Sequence, residues 1–132
     1  MALIRTPLGR ARGLGASKHG VGHFIAIRVT SVALVALTLW GALAAVALEN
    51  GSYQGAVEWL RSPVNATLAA LLALVSFWHM QLGVRTVIED YFQRVATKGL
   101  LLLLNVFVCW LGGALAILAI LKVALSSGGV VV

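Results

Sequence analysis

The chain has 132 residues, of which 61% are hydrophobic and 11% charged, and a mean hydropathy of +0.99 excludes an ordinary water-soluble domain. Its 10 Lys and Arg against 4 Asp and Glu give a net charge of +6, which in so apolar a chain predicts contact with anionic membrane lipid and not with nucleic acid. The single cysteine, Cys109, lies in an apolar run and can form no disulfide within the chain.

The first 23 residues form a basic, Gly-rich segment without acids. Such a composition is typical of a transit peptide or of the charged part of a signal sequence. The apolar run that follows is about 25 residues long, which is too long for the core of a cleaved signal. We therefore predict a retained cytoplasmic arm over residues 1–23.

Three apolar runs are each long enough to cross a bilayer, which takes roughly 20 helical residues. They cover about residues 24–48, 64–88 and 99–125, and residues 126–132 form a short tail. Because unpaired backbone groups are costly in hydrocarbon, the spans must be helices. The sequence predicts an all-α membrane protein with three transmembrane helices.

Basic residues are concentrated on one side of the predicted bundle. That side holds Arg5, Arg10, Arg12, Lys18 and Arg28 near the first span, and Arg85, Arg94 and Lys98 around the link between the second and third spans. The opposite side holds Glu49, Glu58, Arg61 and Lys122. Because Lys and Arg accumulate in cytoplasmic loops, we predict a cytoplasmic N terminus and a periplasmic C terminus in a bacterial inner membrane. The alternative is a mitochondrial inner membrane with the C terminus in the intermembrane space.

Arg28 lies about one turn inside the first span. An arginine at this depth either extends to lipid phosphates or pairs with a buried anion, and its planar donor fork matches carboxylates. His19 and His23 belong to the same basic segment and are weaker candidates for the same anions.

The second span carries a polar stripe on one helical face. At about 100° per residue, the positions that share this face are Ser76, His79, Gly83, Thr86 and Asp90. The other residues of the span are mostly apolar, so the stripe is predicted to face protein.

His79 is the most informative residue of the stripe. It is either a hydrogen-bonded structural residue or a functional one, since an imidazole at mid-membrane depth needs a partner. Gly83 permits either close helix packing or a flat group against the backbone. A haem with His79 as axial ligand explains both residues, and a second imidazole would have to come from another polypeptide.

Asp90 and Tyr91 lie roughly 16 Å along the helix from His79, at the cytoplasmic interface. Tyr91 is either an interfacial anchor or a hydrogen-bond donor to a quinone carbonyl, with Asp90 fixing the phenol or supplying protons. Glu89 is expected to be solvated.

The third span contains small and amide side chains that predict close contact with a neighbouring helix. These are Asn105, Cys109, Gly112 and Gly113.

The chain resembles the smaller hydrophobic membrane-anchor subunits, or D chains, of succinate dehydrogenase, respiratory complex II. The motif H-x10-D-Y is present as His79, Asp90 and Tyr91. A second motif, H-F-x-x-x-R-x-T, is present as His23, Phe24, Arg28 and Thr30. Some relatives read His-Asp-Phe where this chain reads Gly22, His23, Phe24.

This resemblance implies a subunit without succinate chemistry of its own. It implies a second three-helix anchor, the cytochrome b556 or C chain, and a b-type haem whose axial histidines come one from each anchor. It also implies docking to an iron-sulfur subunit, which carries a flavoprotein, and ubiquinone reduction where the iron-sulfur, C and D chains meet.

The resemblance assigns roles to individual residues. His79 matches the haem ligand, Tyr91 the quinone-contacting tyrosine, Asp90 its neighbouring acid and Arg28 a basic residue near the propionates.

Four alternatives remain open on the sequence. An anchor of a fumarate reductase would run the reverse reaction with a low-potential quinol. A small multidrug transporter usually has four spans with an acid inside the first, and a self-sufficient di-haem cytochrome needs paired histidines on its own helices. A small structural membrane protein would bind no haem.

Overall fold

The computed structural model describes residue 8 and residues 20–48 and 51–126. Within the two long ranges the chain folds into four α-helices and no strand. They are α1 (Gly20–Leu48), α2 (Tyr53–Arg61), α3 (Pro63–Tyr91) and α4 (Val95–Ala124). Helices α1, α3 and α4 are long and apolar enough to cross a membrane, which confirms the predicted all-α class and its three transmembrane helices.

The helices extend beyond the predicted spans at one end of the bundle. Helix α1 begins at Gly20, and α3 continues past residue 88 to Tyr91. Helix α4 begins at Val95, so residues 92–94 alone link α3 to α4 and the two helices run antiparallel. Several residues of the predicted charge pattern lie outside the described residues, namely Arg5, Arg10, Arg12, Lys18, His19 and Glu49.

Helix α2 was not predicted, and it connects the long helices at the other end of the bundle. Trp59 stacks on Trp40 of α1 with ring centroids 5.6 Å apart. Asn65 Nδ2 of α3 donates to the Trp59 carbonyl at 2.9 Å, and Arg61 donates to Ser126 Oγ, just after α4, at 3.3 Å. A short amphipathic helix that carries a tryptophan is suited to the membrane–water interface.

Helices α3 and α4 approach closely at a pair of glycines. A Cβ on Gly112 would lie 2.6 Å from Phe77 Cε1, and a Cβ on Gly113 would lie 3.4 Å from Phe77 Cβ. Small residues therefore let the Phe77 ring lie against the α4 backbone.

An amide links the same two helices. Asn105 Nδ2 donates to the Gln81 carbonyl at 3.0 Å, and Cys109 Sγ donates to Asn105 Oδ1 at 3.3 Å. Asn105 and Cys109 are both buried. The predicted contact of the third span with a neighbouring helix is confirmed, and that neighbour is α3.

Replacing Gly112 with Ala should loosen this contact. The new methyl must displace the Phe77 ring, and overpacking of this kind typically costs about 1–3 kcal/mol of unfolding free energy. Gly99→Ala is the control, because a Cβ at Gly99 of the same helix meets nothing within 4 Å. Thermal unfolding in detergent should give a lower midpoint for Gly112→Ala than for Gly99→Ala, and equal midpoints would contradict the packing described.

The outer surface of the bundle is largely apolar. Among residues 21–48 of α1, the only buried residue is a polar one, Thr30. Large apolar side chains on all three long helices are exposed, including Val32, Phe107 and Trp110. Such a surface requires lipid or helices of other subunits around it.

Candidate functional site

His79 and Thr30 form a hydrogen bond between α3 and α1. His79 lies close to the middle of α3 and is half-buried, whereas Thr30 is only 4% exposed. The His79 Nδ1 and Thr30 Oγ1 atoms are 2.9 Å apart. Among the residues that the structure describes, none forms a hydrogen bond with His79 Nε2. The alternative that His79 is a hydrogen-bonded structural residue therefore explains Nδ1 but does not explain Nε2.

A second histidine–threonine pair links the same two helices with the roles exchanged. His23 of α1 approaches Thr86 of α3, with Nε2 and Oγ1 3.2 Å apart. The two pairs are about two helical turns apart on both helices. Together they fix the register of α1 against α3 and place the start of α1 beside the end of α3.

The polar stripe of α3 therefore faces α1 at His79 and Thr86. Gly83 belongs to the same stripe, but a Cβ built there meets nothing within 4 Å. Close packing within this chain therefore does not explain the glycine. Open space lies beside the α3 backbone one turn from His79.

Arg28 is not brought to His79 within this chain. It lies two residues before Thr30, which is about 160° around α1 from the face that carries Thr30. Its guanidinium stacks on the Phe24 ring, with Cζ 5.2 Å from the ring centroid, and the side chain is exposed. The described residues provide no carboxylate partner for Arg28.

The end of α3 presents its acids and its tyrosine in different ways. Glu89 Oε1 accepts a hydrogen bond from Arg85 Nε at 2.8 Å, and Lys98 Nζ donates to the Glu89 carbonyl at 2.9 Å. Asp90 is exposed, and Tyr91 is 80% exposed. The side chains of Asp90 and Tyr91 form no hydrogen bond with each other or with another described residue. Both groups are therefore available to molecules outside this chain.

The described residues alone hold no complete metal site. They contain no group of three or more His, Cys, Asp and Glu side chains placed to bind a metal ion.

A known family matches most of the chain. The succinate dehydrogenase/fumarate reductase transmembrane subunit family matches residues 2–113. The chain belongs to this family.

Individual succinate dehydrogenase relatives agree with that assignment. The succinate dehydrogenase hydrophobic membrane anchor subunit of Paracoccus denitrificans is 31% identical over 92% of this chain and 94% of its own length. The proteins of the same name from Rickettsia bellii and Rickettsia conorii are 30% and 27% identical, over 67% and 80% of this chain and 70% and 85% of their own lengths. No solved structure matches the chain at a significant level. The resemblance to succinate dehydrogenase anchor subunits is confirmed, and the chain is a membrane protein that works with partner subunits.

Sequence reasoning on this anchor subunit missed the contact of Thr30 with His79 and the contact of His23 with Thr86. A signal for both was present, because His and Thr recur at the same spacing on the first and second spans, as His23 with Thr30 and His79 with Thr86. On antiparallel helices, this spacing lets each histidine meet the threonine of the other helix.

Proposed function

We propose that the chain is the anchor subunit of a succinate:quinone oxidoreductase that holds a b-type haem together with a partner anchor chain. The observation that carries the proposal is the environment of His79. Its Nδ1 is engaged by a buried threonine, its Nε2 has no partner among the described residues, and Gly83 leaves open space beside it. Neutral imidazole with one free nitrogen is a common metal ligand, and a flat macrocycle needs room beside its ligand.

The second axial ligand is proposed to come from the partner anchor, the cytochrome b556 or C chain. The other described histidine, His23, already contacts Thr86 through Nε2 and lies about two turns from His79. It is therefore poorly placed to ligate the same iron. When bound, the haem supplies a one-electron centre near the quinone site.

Arg28 is proposed to receive the haem propionates. It is exposed and without a carboxylate partner in the described residues, and a guanidinium binds carboxylates through its planar fork. Because Arg28 lies on the side of α1 that faces away from α3, a propionate bound to Arg28 would have to extend past α1 to that side.

The orientation proposed for the chain follows from charge. The His23–Thr86 contact places the start of α1 and the α3–α4 link at the same end of the bundle. That end carries Arg28, Arg85, Arg94 and Lys98. By the positive-inside rule it faces the cytoplasm of a bacterium, so the iron-sulfur subunit and its flavoprotein dock there. The bacterial origin of the relatives favours the bacterial inner membrane.

Ubiquinone is proposed to be reduced beside Tyr91. The Tyr91 hydroxyl would donate a hydrogen bond to a quinone carbonyl oxygen, and the Asp90 carboxyl would pass protons from the cytoplasm. Two electrons from succinate, delivered by the iron-sulfur subunit, and two protons convert the quinone to the quinol. Because both side chains are exposed in this chain, the site needs walls from the partner subunits.

An anchor of a quinol:fumarate reductase is the second candidate, because the matched family includes both kinds of complex. The relatives from Paracoccus denitrificans and Rickettsia conorii are named succinate dehydrogenase subunits, which favours the first candidate. The quinone extracted with the complex discriminates the two, since a low-potential quinol is required for fumarate reduction.

The proposal is tested by isolating the complex from native membranes through a tag on this chain. We expect a Soret band that shifts on reduction, a second small membrane subunit, an iron-sulfur protein and a flavoprotein. Partner subunits without haem would refute the haem assignment, and a chain that purifies alone would refute the assignment of docking partners.

Replacing Tyr91 with Phe should lower quinone reductase activity by about 2–10-fold. One lost hydrogen bond is worth about 0.5–1.5 kcal/mol, and each 1.36 kcal/mol is a factor of about ten in rate. Tyr53→Phe is the matched control, since Tyr53 is similarly exposed at the opposite end of the bundle. Succinate-dependent reduction of a ubiquinone analogue by the purified complex measures the effect. Equal rates for the two variants would leave Tyr91 as an interfacial anchor only.

A further inference from the structure

The Thr30 hydroxyl has three polar neighbours and only one hydrogen to give. Oγ1 lies 2.7 Å from the Ala26 carbonyl oxygen, 3.0 Å from that of Ile27 and 2.9 Å from His79 Nδ1. If the hydroxyl donated to Nδ1, its lone pairs would point at two carbonyl oxygens at short range, which is repulsive. The hydroxyl therefore donates to the backbone of α1 and accepts from His79.

This assignment fixes the protonation of the His79 ring. A nitrogen that donates carries the proton, and a neutral imidazole has one proton for its two nitrogens. Nδ1 is thus the protonated atom, and Nε2 carries the lone pair. The same reasoning gives the opposite result for His23, because Thr86 Oγ1 donates to the Leu82 carbonyl at 3.1 Å and accepts from His23 Nε2.

We propose that Thr30 is a positioning residue that presents the Nε2 lone pair of His79 to iron and raises its basicity. The inference rests on the proposed haem role of His79. A hydrogen bond accepted from the distal N–H of a metal-binding histidine fixes its tautomer and ring orientation and strengthens the ligand. Thr30 is suited to this task because the residue is only 4% exposed and its hydroxyl lies within hydrogen-bonding distance of two backbone carbonyl oxygens. Its β-branched side chain also has few accessible χ1 rotamers.

The sign of the effect on the haem follows from the hydrogen bond. A more basic imidazole stabilises ferric iron more than ferrous iron, so it lowers the midpoint potential. Removing the Thr30 hydroxyl should raise that potential. Loss of an outer partner of a metal-binding histidine typically changes metal affinity by about 10–100-fold. A tenfold loss of preference for the ferric state corresponds to about 59 mV for one electron.

The test uses Thr30→Val in the assembled complex, since valine keeps the shape of threonine without its hydroxyl. We expect the midpoint potential of the haem to rise by about 59 mV, which is the tenfold change for one electron. We also expect altered g values in the electron paramagnetic resonance spectrum of the ferric haem. Thr30→Ser, which restores a hydroxyl, should return both readouts toward the wild-type values. Thr38→Val is the control, because Thr38 of α1 is exposed and its hydroxyl bonds to the Leu34 carbonyl of its own helix.

Each outcome decides between the two proposals. Haem with an unchanged potential and spectrum in Thr30→Val overturns the positioning role and leaves the haem assignment standing. Loss of haem in Thr30→Val with recovery in Thr30→Ser supports the role of the hydroxyl, whereas loss in both variants would show that a hydroxyl at this position is not sufficient to hold haem and would overturn it. A wild-type complex without haem refutes the proposed function itself.

Discussion

Replacing His79 with Leu is expected to lower the haem content of the assembled complex by more than about tenfold. Even the loss of an outer partner of a metal-binding histidine typically costs about 10–100-fold in affinity, and this variant removes the ligand itself. Leucine has similar bulk and suits the apolar surroundings of α3, so the helix should form normally. Haem per complex, measured as the pyridine adduct and normalised to the flavin, gives the result.

Two comparisons separate a ligand from a structural residue. Gln81→Leu is the matched control, because Gln81 lies at similar depth on α3 but lines the apolar groove shared with Phe77 and Cys109. It should retain haem. Thr30→Val removes the same His79–Thr30 hydrogen bond from the other side. Because Thr30→Val keeps the imidazole, it should lose less haem than His79→Leu, and wild-type haem content in His79→Leu would refute the ligand assignment.

Replacing Gly83 with Leu is expected to have the second largest effect. A Cβ at this position meets nothing within 4 Å, so the chain itself accommodates the larger side chain. The new side chain would occupy the space that we assign to the haem, and haem content should fall by about tenfold or more, as for loss of a ligand's supporting group. Gly99→Leu is the control, since that position is equally open on α4.

The haem content and the subunit composition of the Gly83→Leu complex together identify what fills the open space. If a haem lies there, the complex should assemble with its partner subunits and lack haem. If a helix of the partner anchor packs there, the partner should be lost from the complex, as judged by subunit bands after gentle purification. Full haem content in an assembled Gly83→Leu complex would contradict the placement.

Much of the fold was predictable because lipid imposes simple rules. Apolar runs of sufficient length must be helices, and the three long helices lie where those runs do. Helix α2 was missed because its nine residues mix apolar and charged side chains, which in a short window also fit a loop. Its contacts through Trp40 and Trp59 depend on where the long helices bring these rings, which periodicity within one segment does not give.

The part of the candidate site that lies on α3 was predictable from the sequence, whereas its contacts with α1 were not. The spacing along one helix predicted the stripe that contains His79 and Gly83, because all of its members lie on α3. The partner of the stripe depends on the register between α1 and α3, which is set by two His–Thr pairs between the helices. Arg28 and Thr30 are two residues apart, yet the structure places only Thr30 against His79. The ligand roles of His79, Arg28, Asp90 and Tyr91 stay proposals.

The central claim, that His79 Nε2 binds haem iron, is tested most directly by restoring the ligand from solution. His79→Gly leaves a cavity that fits free imidazole, and the purified complex should show a high-spin or haem-depleted spectrum. Added haem and imidazole should then restore the low-spin ferric spectrum of the wild type. A His79→Gly complex with full haem content and an unchanged low-spin spectrum in the absence of imidazole would contradict the account.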